Sequence, residues 1–301
     1  MDSGSETIVL GTRGSRLART QTQMVAQSLE AMGFRVETRI ISTTGDEITD
    51  RPLAEIGGKG LFVSALEEAL AQGQVDAAVH SLKDVPGDLP DGFTLAAFLP
   101  REDPRDALVS FTYRAVSDLP TGAKVGTGSK RRAMQFGRLR GDIEVVPTRG
   151  NVESRLNKAR SGELDGVILA MAGLVRLGLA ELAVEALEED IFVPAPCQGI
   201  VAVEIRNGDS RLGEILRRLD DASARTEGTA ERAAAKALGA DCHTPIGVRA
   251  RIDGDGLTIR IALGDEKSGS VITVVHTGER LDPEQAGAQA AELIGMAGER
   301  H

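Results

Sequence analysis

The chain has 301 residues, 41% apolar and 27% charged, and this length allows two or three domains of ordinary globular composition. The net charge of -10 and an aromatic content of 3% argue against a nucleic-acid partner, because basic patches and base-stacking platforms are both scarce. There is no run of about 18 apolar residues, and residues 1–6 are acidic and polar, unlike a signal peptide. We therefore expect a cytoplasmic protein without a membrane partner.

The cysteine and histidine content is low. Cys197 and Cys242 are the two cysteines, and the four histidines show no paired ligand spacing. We expect neither a disulfide, which is rare in the cytoplasm, nor a metal site.

The first segment predicts an α/β unit. A short apolar strand at residues 8–10 leads into a glycine turn, and Ser15 is placed to cap a helix that Gly33 ends. A strand at 36–42, a helix at 61–72 and a strand at 75–79 follow.

A second unit repeats this pattern. Residues 124–129 repeat the strand, Gly-Thr turn and serine of residues 9–15, and residues 162–170 loosely echo residues 73–81. Ligands bind at such strand-to-helix turns in open α/β sheets. The economical arrangement is two facing units with a ligand cleft between them.

The last segment is of another kind. It predicts an alanine-rich helix at 222–238, a turn that contains Cys242, a hairpin over 248–261, a strand at 271–276 and a helix at 283–296. These elements indicate a small α+β domain.

Basic residues cluster at the predicted turns, against an acidic background. Guanidinium groups pair bidentately with carboxylates and phosphates, so the cluster predicts a small polyanionic ligand. Its members are Arg13, Arg16, Lys130, Arg131, Arg132, Arg149, Arg155 and Arg176.

Asp84 and the cysteines leave alternatives open. Asp84 either balances the charge of Lys83 or acts on a ligand that offers N–H donors and develops positive charge. Cys242 is either a small core residue or a reactive thiol, and Cys197 has no stronger case of its own.

Several motifs, taken together and in order, resemble the porphobilinogen deaminase family over nearly the whole chain. They are Gly11-Thr12-Arg13-Gly14-Ser15; residues 57–62; residues 76–86 with His80-Ser81-Leu82-Lys83-Asp84; residues 101–107; Ser129 with Arg131-Arg132; Arg149-Gly150-Asn151; residues 172–174 with 176–178; and Cys242 with residues 245–247.

The resemblance implies an α/β fold, with two periplasmic-binding-protein-like α/β domains plus a small C-terminal α+β domain. The implied boundaries are 1–99, completed by about 200–218, for the N-terminal domain; 100–199 for the central domain; and 219–301 for the domain that carries the cofactor cysteine. It also implies a monomer.

The resemblance further implies an activity and its residues. Four porphobilinogen molecules are joined head to tail, with loss of ammonia, on a dipyrromethane cofactor held through a thioether to Cys242, and hydroxymethylbilane is released. Asp84 is implied to be catalytic, and Lys59 to belong to a lid over residues 43–60. The implied cofactor-binding residues are Lys83, Ser129, Arg131 and Arg132, and the implied substrate-binding residues are Arg13, Ser15, Arg149, Arg155 and Arg176.

The sequence departs from the family pattern at three positions without losing a catalytic residue. Arg16 replaces a proline, Lys130 replaces an apolar residue or proline, and Cys197 replaces glycine or alanine, which raises the question of its oxidation. The rival interpretations are a two-lobed anion receptor without chemistry and an inactive, regulatory paralogue. A passive receptor would need neither Asp84 nor Cys242.

Overall fold

The computed structural model describes residues 7–42, 63–241 and 244–298. By its internal contacts the chain divides into two compact units, one comprising residues 1–101 and 200–225 and the other residues 102–199 and 226–301.

The first unit is a five-stranded mixed sheet with helices on its faces. Its strands are β1 (Thr7–Thr12), β2 (Arg35–Ile40), β3 (Ala77–Ser81), β4 (Phe93–Phe98) and, from the returning segment, β10 (Val201–Arg206). The order is β2-β1-β3-β10-β4, in which β1 is parallel to β2 and β3, and β10 is antiparallel to both of its neighbours. The helices are α1 (Arg16–Ala31), α2 (Ser64–Ala71) and α6 (Ser210–Arg217).

The apolar side chains of this sheet and of α1 form its core. Ile8, Leu10, Val25 and Leu29 are all fully buried. Ser15 caps α1 as expected, and Gly33 follows the helix with a φ of +91°, a conformation that favours glycine. β3 begins two residues later than predicted, because Asp76 uses its carboxylate to accept the N–H of Val9 at 2.8 Å.

The second unit begins with a sheet of the same design. Its strands are β5 (Asp106–Val109), β6 (Lys124–Thr127), β7 (Glu144–Pro147), β8 (Gly166–Ala170) and β9 (Ala183–Leu187), in the order β7-β6-β8-β5-β9. Here too β6 is parallel to β7 and β8, while β5 is antiparallel to β8 and β9. The predicted internal repeat is thus a repeat of topology: β6 corresponds to β1, and β8 corresponds to β3.

Three helices connect these strands. They are α3 (Lys130–Leu139), α4 (Val152–Arg160) and α5 (Met171–Arg176). Ser129 caps α3 by accepting the N–H of Arg132, and Asn151 caps α4 by accepting the N–H of Ser154 at 2.9 Å. Both caps start a helix directly after a strand, so the first turn of each helix lies at the edge of the sheet.

The third sheet, formed by residues after 245, is three-stranded and antiparallel and is covered by two helices. β11 (Ile246–Asp253), β12 (Gly256–Gly264) and β13 (Val271–Glu279) form a meander, with α7 (Ala222–Ala237) and α8 (Pro283–Gly298) packed on it. The fold-class prediction is confirmed by these three sheets. In the described ranges, no helix is both long enough and apolar enough to cross a membrane.

Candidate functional site

In the first unit, four predicted site residues lie at one edge of the sheet. β1 and β3 are parallel neighbours, so their carboxyl ends meet at the same edge. Arg13 and Ser15 follow β1, and Ser15 accepts the N–H of Ala18 at 3.2 Å. Lys83 and Asp84 form the 3₁₀ turn Leu82–Asp84 that follows β3. The Asp84 side chain is half-buried there.

The strand that leads to Asp84 is held by polar contacts on both sides of its end. Gln21 of α1 donates its Nε2 proton to Oγ of Ser81 at 2.8 Å. Buried His80 lies with Nε2 at 3.0 Å from Oε2 of Glu204, which is fully buried in β10. These contacts fix the position from which the turn with Lys83 and Asp84 starts.

In the second unit, six predicted site residues follow three parallel strands. Because β7, β6 and β8 are adjacent and parallel, the segments after them share one edge of the sheet. We call this edge, with its six residues, the arginine edge: Ser129, Arg131 and Arg132 after β6; Arg149 and Arg155 after β7; Arg176 at the end of α5 after β8.

Two of these arginines share one carboxylate. Oδ2 of Asp106 lies 2.7 Å from Nη1 of Arg131, and Oδ1 lies 2.6 Å from Nη2 of Arg132. Asp106 is fully buried, which opposes its ionisation, but the two guanidinium groups outweigh burial and hold the pKa of this carboxyl well below its usual range. Two cations and one anion leave this group with a net positive charge.

Arg155 adds to the positive potential. Burial, together with the charges of Arg132 and Arg149, lowers the pKa of its guanidinium to about 10. Burial also lowers the pKa of the Arg176 guanidinium, although the negative charge of Glu102 opposes this shift. A lowered arginine pKa means that the charged form of the side chain is destabilised relative to its charged form in water. A bound anion would offset this free-energy cost.

The arginine edge also contains buried nitrogen atoms that have no acceptor among the described residues. They are Nε of Arg131, Nη1 of Arg149, Nε of Arg155 and Nε of Arg176. Buried N–H groups are nearly always paired in folded proteins, so these four indicate a ligand that supplies acceptor oxygens. A small molecule with several carboxylates, such as a dipyrromethane with its acetate and propionate groups, fits this set of donors.

Three sequence predictions concern cysteines and the lid. Cys242, Lys59 and residues 43–60 lie outside the described residues, so their predicted roles remain predictions. Cys197 is described, and it is 2% exposed with a φ of 63°. Its N–H donates to the buried carboxylate of Glu231, and its Sγ lies 3.6 Å from the carbonyl oxygen of Gly228. Such burial protects this thiol from oxidants in solution.

Sequence reasoning missed Asp106 and Gln198 as parts of the site. Gln198 is buried and donates from Nε2 to Oδ1 of Asp106 at 3.0 Å. Asp106 stood within the matched segment 101–107, which was the one signal that could have drawn attention to it. Its partners lie at positions 131, 132 and 198, and no local pattern connects them.

The fold and the site define an α/β protein whose strand ends carry buried arginine nitrogens suited to a small ligand with several carboxylates. The family model described as "Porphobilinogen deaminase, dipyromethane cofactor binding domain" matches residues 8–214, and "Porphobilinogen deaminase, C-terminal domain" matches residues 226–295. The chain belongs to the porphobilinogen deaminase family, as the sequence motifs indicated. It is accordingly an enzyme, a transferase of the hydroxymethylbilane synthase type with a dipyrromethane cofactor.

Curated relatives match along the full length of the chain. Porphobilinogen deaminase of Roseiflexus castenholzii is 45% identical over 293 residues, covering 97% of this chain and 96% of the relative. The protein of the same name from Nitrobacter hamburgensis is 44% identical over 308 residues, covering 100% and 98%.

Solved structures match with lower similarity. A methionine-binding protein has a TM-score of 0.47 and 11% identity, covering 71% of this chain and 89% of its own. A periplasmic substrate-binding protein from Coxiella burnetii has a TM-score of 0.44 and 18% identity, covering 70% and 91%.

Proposed function

We propose that the arginine edge holds the carboxylates of the dipyrromethane cofactor and of porphobilinogen while four porphobilinogen molecules are joined to give hydroxymethylbilane. The observation that carries this proposal is the set of four buried guanidinium nitrogens for which the described residues offer no acceptor. Arg131, Arg132 and Ser129 bind the cofactor, and Arg149, Arg155 and Arg176 bind the substrate or the growing chain.

The edge of the first unit carries the proposed acid–base group. Asp84 is the catalytic carboxylate: it accepts pyrrole N–H groups and stabilises positive charge that develops as ammonia leaves. Lys83 assists in binding the cofactor, and Arg13 and Ser15 assist in binding substrate carboxylates. A carboxylate on the same sheet edge as the cations Arg13 and Lys83 suits a ligand whose periphery is anionic and whose ring nitrogens are donors.

Cys242 is the tether in this proposal. Its thiolate holds the cofactor through a thioether, and Lys59 belongs to a lid over the reacting groups. When bound, the cofactor supplies the pyrrole carbon on which the chain grows. Cys197 is excluded as the tether because it is buried and bonded within the crossover before residue 200.

Intact-protein mass spectrometry tests the tether. We expect protein purified from cells to be heavier than its sequence by two linked pyrrole units. The Cys242→Ser variant should have the sequence mass, while the matched control Cys197→Ser should carry the full modification. An unmodified wild-type protein that gains no mass on incubation with porphobilinogen would contradict the enzymatic function and favour a passive anion receptor.

We further propose a cytoplasmic monomer of three domains, with the boundaries given above and with neither nucleic acid nor membrane as a partner. The three separate sheets support the division into domains, and the net charge of -10 supports the absence of a nucleic-acid partner. Sedimentation equilibrium should give the mass of one chain, 31.7 kDa plus the cofactor. A dimer mass would overturn the proposed monomer but would leave the proposed activity and domains untouched.

A further inference from the structure

We propose that Asp106 is a positioning residue that fixes the guanidinium groups of Arg131 and Arg132, so that this pair presents one net positive charge to the cofactor. Asp106 acts through the two arginines and is not itself placed against the ligand. The inference rests on the proposed cofactor-binding role of Arg131 and Arg132.

The geometry shows one carboxylate that orients two cations. Asp106 is the first residue of β5, and its Oδ1 accepts from Nε of Arg132 at 2.8 Å while its Oδ2 lies 2.7 Å from Nη1 of Arg131. The side chains of Arg131 and Arg132 are only 4% and 7% exposed. Asp106 therefore contacts Arg132 through two nitrogens and Arg131 through one, and both side chains are buried.

Main-chain carbonyls complete the orientation of both groups. Nη1 of Arg131 donates to the carbonyl oxygen of Val193 at 2.8 Å, and Nη1 of Arg132 donates to that of Ile168 at 3.0 Å. Arg132 is held at all three of its guanidinium nitrogens, since its Nη2 also lies 3.5 Å from Oε1 of Gln198, whereas both contacts of Arg131 are made by Nη1. For Arg131, the remaining buried Nε has no acceptor in the part of the chain that is described.

The carboxylate is itself held in place. Gln198 donates from the same Nε2 to Oδ1 of Asp106 at 3.0 Å and to the carbonyl oxygen of Pro104 at 2.7 Å. Asp106 is thus fixed to the segment before β5 and to the crossover that contains Gln198. A carboxylate fixed in this way can hold the guanidinium groups of both arginines in defined positions.

The charges give the reason for such a residue. Two adjacent buried guanidinium groups repel each other, and Arg155 places a third cation near Arg132. Without Asp106 the pair would carry two charges and would separate or turn towards solvent. With Asp106 both guanidinium groups are held against one carboxylate.

The test is cofactor assembly in Asp106→Asn and Asp106→Glu, compared with Glu185→Gln. Glu185 is the matched control, because it lies on the neighbouring strand β9 and its carboxylate accepts the N–H of Val116 at 2.7 Å. Three quantities are measured for each variant: the far-UV circular dichroism spectrum, the fraction carrying dipyrromethane by intact mass, and the rate at which cofactor-free protein gains mass with porphobilinogen.

We expect D106N to keep the wild-type spectrum but to assemble cofactor at least tenfold more slowly. D106E, which keeps the charge but displaces it by one methylene, should be intermediate, and E185Q should assemble at the wild-type rate whatever its loss of stability. If D106N does not fold, the rate of cofactor assembly in D106E tests the inference, because the carboxylate of D106E still compensates the charges of both arginines.

Wild-type assembly rates in folded D106N or D106E would overturn the inference, as would an equal slowing in E185Q. A wild-type protein without dipyrromethane would instead contradict the proposed function, so the two failures are distinguishable. Lowered kcat with an unchanged rate of cofactor assembly would also count against the positioning role.

Discussion

Gly128 lies so close to Thr148 that a Cβ atom at position 128 would stand 2.8 Å from the Thr148 carbonyl oxygen. These two residues follow β6 and β7, whose ends are joined by a hydrogen bond from the Thr148 N–H to the Thr127 carbonyl oxygen at 3.0 Å. The close approach brings the capped start of α3 next to the turn that carries Arg149. A glycine is therefore required for spacing within the arginine edge.

We predict that Gly128→Ala separates these two turns. The clash is with main chain, which cannot give way as a flexible side chain can, so we expect a loss of about 1–3 kcal/mol in the free energy of unfolding. Turnover should fall at least tenfold, because Arg149 and Ser129 move apart. Gly137→Ala is the control: its Cβ would meet nothing within 4 Å, and alanine should stabilise α3 by about 0.5–1 kcal/mol. Urea unfolding and steady-state kinetics check both variants.

Arg155 is predicted to be costly for stability and necessary for function. Its guanidinium is desolvated and lies near two like charges, so Arg155→Gln should stabilise cofactor-free protein by about 1 kcal/mol. The same variant should stall chain elongation, visible by mass spectrometry as enzyme carrying intermediate numbers of pyrroles. The stability measurement is made in the Cys242→Ser background, so that no cofactor offsets the charge. A loss of stability there would mean that Arg155 is a structural residue.

The buried Asp106 carboxylate should make the free energy of unfolding fall at acidic pH. Its pKa is lowered in the folded state, so its contribution is fully present above the unfolded value of about 4 and decreases as the pH falls further. D106N should be about 3–5 kcal/mol less stable than wild type at pH 7, because two buried cations lose their partner. The difference should shrink below about pH 4. A hydrogen bond from Arg140 also lowers the pKa of Asp142, but solvent screens this pair, so Asp142→Asn should alter the pH profile much less than D106N does.

Asp84→Ala should leave the fold intact and nearly abolish turnover. The residue is half-buried in a turn outside the apolar core, so its loss costs little packing. Removing the one carboxylate proposed to stabilise developing positive charge should lower kcat by about a hundredfold or more. Asp91→Ala, at an exposed position in the following turn, is the control for kinetics and circular dichroism. Substantial residual turnover in D84A would show that its role was assigned wrongly.

Local sequence pattern predicted much of the architecture. A short apolar run predicted β1 and helical spacing predicted α1, because a helix or strand buries residues that are close together in the chain. The likeness of residues 162–170 to residues 73–81 predicted β8. The Gly-Thr turns and their capping serines predicted where α1 and α3 begin, since a cap bonds to a backbone group three residues away. The recurrence of this pattern predicted two related sheets, and the motifs identified the family.

Only the tertiary structure decided which charges are neutralised and which remain for a ligand. From the sequence, Arg131 and Arg132 were simply two more cations at a turn, and Asp106 was one carboxylate among many. Folding places Asp106 between them, together with Gln198, through contacts between segments up to 92 residues apart. An ion pair depends on distance in space and on exclusion of water, and neither is encoded in local spacing. The chain's residues thus determined the kind of site, while the packing of β5 against β8 determined its net charge and direction.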